Sequence, residues 1–225
     1  MPNPCDDVSL PSKDKFKRKT IRFFNDNEIA LFKEAAPKYK YGKALIFAMY
    51  TGLRAGELIG LKWKNVDWYK KRIFVASNVV TIYKYNEDAD DEEQPGKYTI
   101  LEQDSAKSRD RYVDLSKTAI SILTELKAQY YNGEDSFVIS PENKPLAVHN
   151  LFNNYLHICA RAGIENPQGL HTLRHTFASM LFRKKVDAKT VSELLGHSNV
   201  AFTLNTYIHL IEDQKSDAVN LIDDL

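Results

Sequence analysis

The apolar and polar positions of the chain follow two different periods, and the switch between them sets the expected architecture. From residue 25 the spacing is helical: "NDNEIALFKEAA" puts Ile29, Leu31 and Phe32 at helical spacing behind a cap at Asn25 or Asp26, with Glu28 in the first turn and Pro37 as the stop. "GKALIFAMYTG" predicts a buried helix closed by Gly52, and "RAGELIGLKW" a second short helix directly after it. The period then changes. "RIFVASNVVTIYKY" is rich in β-branched and aromatic residues, and "RYVDL" follows after an acidic stretch, which predicts an antiparallel sheet of about three strands with "EDADDEE" in an exposed connection. Helical spacing returns in "SKTAISILTELKAQYY", "AVHNLFNNYLHICARAG", "LHTLRHTFASMLFRKK", "DAKTVSELLGH" and "VAFTLNTYIHL", with caps at a Ser and an Asp and a stop at Gly163. The expected fold class is therefore α+β, mostly α-helical with a small antiparallel three-stranded sheet. Residues 1–22 mix Pro, Ser and Asp with the basic run "KDKFKRK" and lack an apolar period, so a linker or disordered arm is expected there, ahead of a folded unit over 23–225.

Composition narrows the class. A chain of 225 residues with 43% hydrophobic and 27% charged residues can bury a core of its own. It holds no apolar run of the roughly 18 residues that would suggest a membrane span, and its start has no apolar signal core, so a cytoplasmic location is expected. Cys5 and Cys159 form no CxxC pair, and neither a disulfide framework nor a cysteine-based zinc site is suggested. The net charge of +1 hides an uneven distribution. Residues 87–93 carry six acids and no base and residues 212–225 a net of −4, so the remaining residues hold a net of +11. A basic body of this kind suits a polyanionic partner.

Several side chains then raise the question of chemistry. His171, Arg174 and His175 fall at i, i+3 and i+4 of one expected helix, presenting imidazole and guanidinium on one face. Two histidines four apart could ligate zinc, but the metallohydrolase pattern needs Glu directly after the first, and Thr172 stands there. Arg54 follows a glycine break at a helix start, where exposed backbone N–H groups favour an anion and the helix dipole opposes a cation; Glu57, three residues on, can hold its guanidinium. His197 lies just past a helix end after Gly196, and Tyr207 sits on the next helix. Two arginines, histidines, a lysine and a tyrosine without a carboxylate cluster fit phosphoryl transfer through a covalent tyrosyl intermediate, in which guanidinium forks neutralise the phosphate without Mg²⁺. A phenol with a usual pKa near about 10 needs a base and a strongly positive site to act as nucleophile.

"TGLRAGEL", "HTLRHTFAS", "LLGHSN" and "TLNTYIH", in that order, resemble the active-site boxes of the tyrosine recombinases, the phage and conjugative-transposon integrase family, from about residue 23 to the carboxyl end. The resemblance implies that Arg54 and Arg174 bind the non-bridging oxygens of a scissile phosphate, that His171 accepts or orients the tyrosine proton, and that His197 hydrogen-bonds the phosphate. Tyr207 would attack, leaving a 3′-phosphotyrosyl link and a free 5′-hydroxyl, with no cofactor, metal or ATP. His175 is expected to serve structure. The family also takes a general-acid lysine from a β-hairpin. Here "EQDSAKSRDRYVDLS" departs from the common spelling, so Lys107 is the candidate and Lys97 the runner-up. By the same resemblance, amino-terminal DNA-binding domains usually precede such a domain, and "DAVNLIDDL" would form a short tail helix packing on its own or a neighbouring protomer. The implied partners are double-stranded DNA, further copies of the protein in a tetramer on paired sites, and accessory bending or excision factors, with no membrane. A type IB topoisomerase-like enzyme and a catalytically inactive DNA-binding relative are the alternatives to a site-specific recombinase that integrates or excises a mobile element.

Overall fold

A computed structural model describes residues 21–83, 98–104, 111–140 and 144–212. The basic arm and the acidic tail expected at the two ends, the "EDADDEE" connection, and both lysine candidates, Lys97 and Lys107, lie outside the described residues.

Eight α-helices and five strands are described: α1 (Asp26–Ala35), α2 (Gly42–Thr51), α3 (Ala55–Gly60), β1 (Val66–Asp67), β2 (Arg72–Val75), β3 (Ser77–Tyr83), β4 (Tyr98–Asp104), β5 (Arg111–Asp114), α4 (Lys117–Tyr130), α5 (Val148–Arg161), α6 (His171–Arg183), α7 (Ala188–Leu195) and α8 (Val200–Glu212). Asn25 caps α1 in a reciprocal box with Glu28, Ser116 caps α4 and Asp187 caps α7, each side chain accepting from a backbone N–H that the first turn leaves unpaired. Eight of the ten residues of α2 are buried, so this helix is covered on all sides and forms the centre of the molecule, against α4, α5 and α6. Around it lie Phe24, Phe32, Trp63 and Tyr155, all essentially inaccessible.

The strands form two sheets where the sequence suggested one. β1, β2 and β5 make the expected antiparallel three-stranded sheet, with Ile73 opposite Val113 on its buried side and Phe74 opposite Tyr112 on the other. β3 and β4 pair separately as a two-stranded antiparallel ribbon, Ser77 opposite Asp104 through Tyr83 opposite Tyr98. The run "RIFVASNVVTIYKY" reads as continuous β because its composition does not change at Ala76, where the chain leaves one partner strand and takes up another. β3 packs on α3, and an added Cβ at Gly56 would lie 2.0 Å from the Asn78 side-chain oxygen, so the ribbon is seated directly on the helix that follows Arg54. A second, smaller apolar cluster of Ala178, Phe182, Val191, Leu195 and Tyr207 joins α6, α7 and α8. Among the described residues no helix is long and apolar enough to cross a membrane.

Candidate active site

Arg54 occupies the N-cap position of α3, two residues after Gly52 closes α2 in the left-handed region at φ 66°. Glu57 offsets the unfavourable placement of a cation at a helix N-terminus: its Oε2 accepts from the Arg54 backbone N–H at 2.9 Å and its Oε1 from Arg54 Nη1 at 2.8 Å. The sequence had anticipated that contact. It had not anticipated the second cation, Arg111, whose Nη1 and Nη2 donate to Glu57 Oε1 and Oε2 at 3.0 and 2.9 Å. Glu57 is 2% exposed, and a buried carboxylate is tolerated only when its lone pairs are filled. Burial pushes its pKa up, but the hydrogen bonds and charge of Arg111, with the contacts from Arg54, outweigh burial and hold it at about 2. The signal for Arg111 was Glu57 itself, an acid on the buried face of "AGELIG" that needed more donors than Arg54 alone could bring.

Arg174 is held differently. It is 4% exposed and donates from Nη1 to the Gly52 carbonyl at 2.7 Å and from Nη2 to the Leu195 carbonyl at 2.5 Å. Those carbonyls lie at the C-terminal ends of α2 and α7, so two partly negative helix ends seat one cation. Gly196, also left-handed at φ 66°, ends α7 and turns the chain to His197, whose Nδ1 lies 2.7 Å from Thr203 Oγ1. Burial, followed by the charges of Arg174, Arg54 and Arg111, lowers the His197 pKa to about 4, so the ring is neutral near pH 7. His171, the first residue of α6, is likewise shifted down by burial and then by Arg174 and Arg54.

Tyr207 is 1% exposed, its ring 5.4 Å from that of Phe182 and its hydroxyl 2.6 Å from His175 Nδ1. It breaks the helix that carries it, with φ −117° and ψ 17° inside α8. Burial raises the phenol pKa, and burial together with His171 and Arg174 lowers that of His175 to about 4. Both partners are therefore neutral near pH 7, and the proton between them lies on the phenol or on Nδ1 according to the imidazole tautomer. The imidazole in contact with Tyr207 is thus His175, the histidine expected to serve structure, while His171 lies one helical turn back with its ring centroid 6.5 Å from that of His175.

Three guanidinium groups and one carboxylate surround this region, which leaves a surplus of positive charge beside neutral imidazoles and a protonated phenol. Such a field stabilises an oxyanion with charge developing on several oxygens. Among the described residues no group of three or more His, Cys, Asp or Glu side chains is arranged to hold a metal ion.

The chain matches the phage integrase family over residues 21–214. It is 37% identical over 242 residues to a XerC-like tyrosine recombinase of Caldanaerobacter subterraneus subsp. tengcongensis, covering 99% of this chain and 60% of that one. To the ICEBs1 integrase of Bacillus subtilis it is 24% identical, covering 99% and 59%. The chain thus spans about three fifths of the length of these relatives. Among solved structures, XerA recombinase superposes with a TM-score of 0.67 at 21% identity over 90% of this chain and 66% of that one. The integrase of transposon Tn1549, in complex with a circular intermediate DNA, superposes with a TM-score of 0.65 at 18% identity over 86% and 63%. With the family matched from the residue before Arg22 to the one after Asp213, and with the fold shared by these recombinases, the chain belongs to the phage integrase family.

Proposed function

We propose that residues 23–225 form the catalytic domain of a site-specific DNA recombinase that acts on a mobile element, cutting and rejoining duplex DNA without metal or ATP. The Tyr207 oxygen attacks the scissile phosphorus, the bond to the 5′-oxygen breaks, and the phosphodiester energy is kept in a 3′-phosphotyrosyl link until a 5′-hydroxyl reverses the step. Arg54 and Arg174 neutralise the non-bridging oxygens, His197 hydrogen-bonds the phosphate, and His171 takes or orients the phenol proton. Lys107 gives a proton to the departing 5′-oxygen. The partners are double-stranded DNA and further copies of the protein on paired sites, with residues 1–22 as a basic arm along the DNA.

One observation carries this reading: α6 holds Arg174, and the same helix receives the Tyr207 phenol at His175, so cation and nucleophile share a single rigid support. Tyr207 at 1% exposure cannot meet a phosphate where it stands. In this reading the phenol rests protonated and withdrawn, and DNA binding brings it out. The helical break at Tyr207 supplies a place for that movement.

The test is incubation with a nicked suicide substrate, followed by a denaturing gel. A covalent protein–DNA band is expected for the native protein and none for Tyr207→Phe; a band that persists in Tyr207→Phe would remove Tyr207 as nucleophile. Strand exchange between two duplexes carrying the site, rather than relaxation of any supercoiled plasmid, separates a recombinase from a topoisomerase.

A further inference from the structure

Arg111 opens β5, directly after the stretch 105–110 that contains Lys107. Its side chain is 8% exposed and it touches two different parts of the site. On one side is the two-pronged pair with Glu57, whose remaining acceptor capacity goes to the backbone N–H and Nη1 of Arg54. On the other side is Gly196, where an added Cβ would stand 2.7 Å from Arg111 Cδ, 2.8 Å from Nε and 2.9 Å from Cζ. The guanidinium therefore lies against the backbone of the turn that presents His197. Its Nε has no hydrogen-bond partner among the described residues, so this contact is made by packing.

We propose that Arg111 is a positioning residue of the cleavage reaction: by clamping Glu57 it sets the guanidinium of Arg54, and by lying against Gly196 it sets the turn that carries His197. The inference rests on the preceding reading of Arg54 and His197 as phosphate ligands. Stability alone is a poor reason for the arrangement, because a buried ion pair gains little over an apolar pair of the same volume. Positioning is a better one. An arginine free in solution has several rotatable bonds to order before it can grip a phosphate, and that ordering is done in advance when a fixed carboxylate already holds one of its nitrogens. Glu57 can be such a fixed point only while Arg111 fills its other two acceptor sites, since a half-paired buried carboxylate would move or take up a proton. Arg111 also joins β5 to the turn after α7, and so couples the end of the lysine-bearing segment to two phosphate ligands.

The experiment measures single-turnover covalent complex formation on the suicide substrate by the whole chain, with either the natural phosphodiester or a methylphosphonate at the scissile position. The methylphosphonate replaces one charged oxygen by methyl, so a loss caused by a misplaced arginine is relieved on it, whereas a loss caused by poor folding or weak DNA binding is not. Two variants are used: Arg111→Lys, which keeps the charge but not the fork, and the neutral exchange Glu57→Gln with Arg111→Gln. Both are expected to cleave the phosphodiester roughly 10- to 100-fold more slowly, with DNA affinity within about twofold of native and most of the loss recovered on the methylphosphonate stereoisomer that relieves Arg54. Native rates in either folded variant, or equal losses on both substrates, would overturn the proposal. Failure of the native protein to form any covalent complex would instead remove the recombinase reading, and the role of Arg111 with it.

Discussion

Tyr207 and His175 form a short polar contact, and its worth is measurable. His175→Ala leaves the buried phenol without this hydrogen-bond partner, a loss of about 1–3 kcal/mol. In Tyr207→Phe there is no hydroxyl to satisfy, so adding His175→Ala to it should cost less. The prediction is a double-mutant cycle in urea with a coupling of about 1 kcal/mol or more; strictly additive losses would mean that the contact holds nothing. Neither partner announced the other in the sequence. His175 stands directly beside Arg174, and only the path of α8 back across α6 brings a residue 32 positions later onto it.

At the scale of elements, the turn after α7 does the most with the fewest residues. Gly196 and Gly163 have the same φ of 66°, so alanine should impose the same backbone strain at each. Their surroundings differ: nothing lies within 4 Å of a Cβ at Gly163, whereas one at Gly196 would run into Arg111. Gly196→Ala is therefore expected to destabilise by at least about 1 kcal/mol more than Gly163→Ala, and to slow covalent complex formation where Gly163→Ala does not. Equal unfolding midpoints for the two variants would contradict the packing described here. The helices themselves were legible, since caps at Asn25, Ser116 and Asp187 and stops at Gly52, Gly163 and Gly196 are local signals that the chain carries within a few residues of each end. Strand partners were not, because β3 and β2 share a composition and differ only in which distant strand each meets.

For the whole molecule, the buried histidines and Glu57 all push stability in one direction below neutral pH. His175 and His197 have folded pKa values of about 4 against an ordinary 6.5, so between those values the unfolded chain binds protons that the folded one refuses. Stability should fall as pH drops from about 6.5 to about 4. Glu57, held at about 2 against an ordinary 4.5, extends the loss through the window below about 4.5, because its ion pairs vanish as it protonates. Urea midpoints at pH 7.5, 5.5 and 3.5 are expected to decline in that order, and a flat profile would contradict the burial of these groups. The sequence by itself determined the helical periodicity and the order of the four boxes, and it singled out Arg54, His171, Arg174, His197 and Tyr207 as candidates, since each rests on spacing within a short window. Only the tertiary structure decided that Arg111 completes Glu57, that His175 and not His171 faces the phenol, and that Tyr207 is buried. Those outcomes depend on contacts between residues 32 to 85 positions apart, where the winning partner is set by how α3, β5, α6, α7 and α8 pack and by the cost of leaving a buried charge or hydroxyl unpaired.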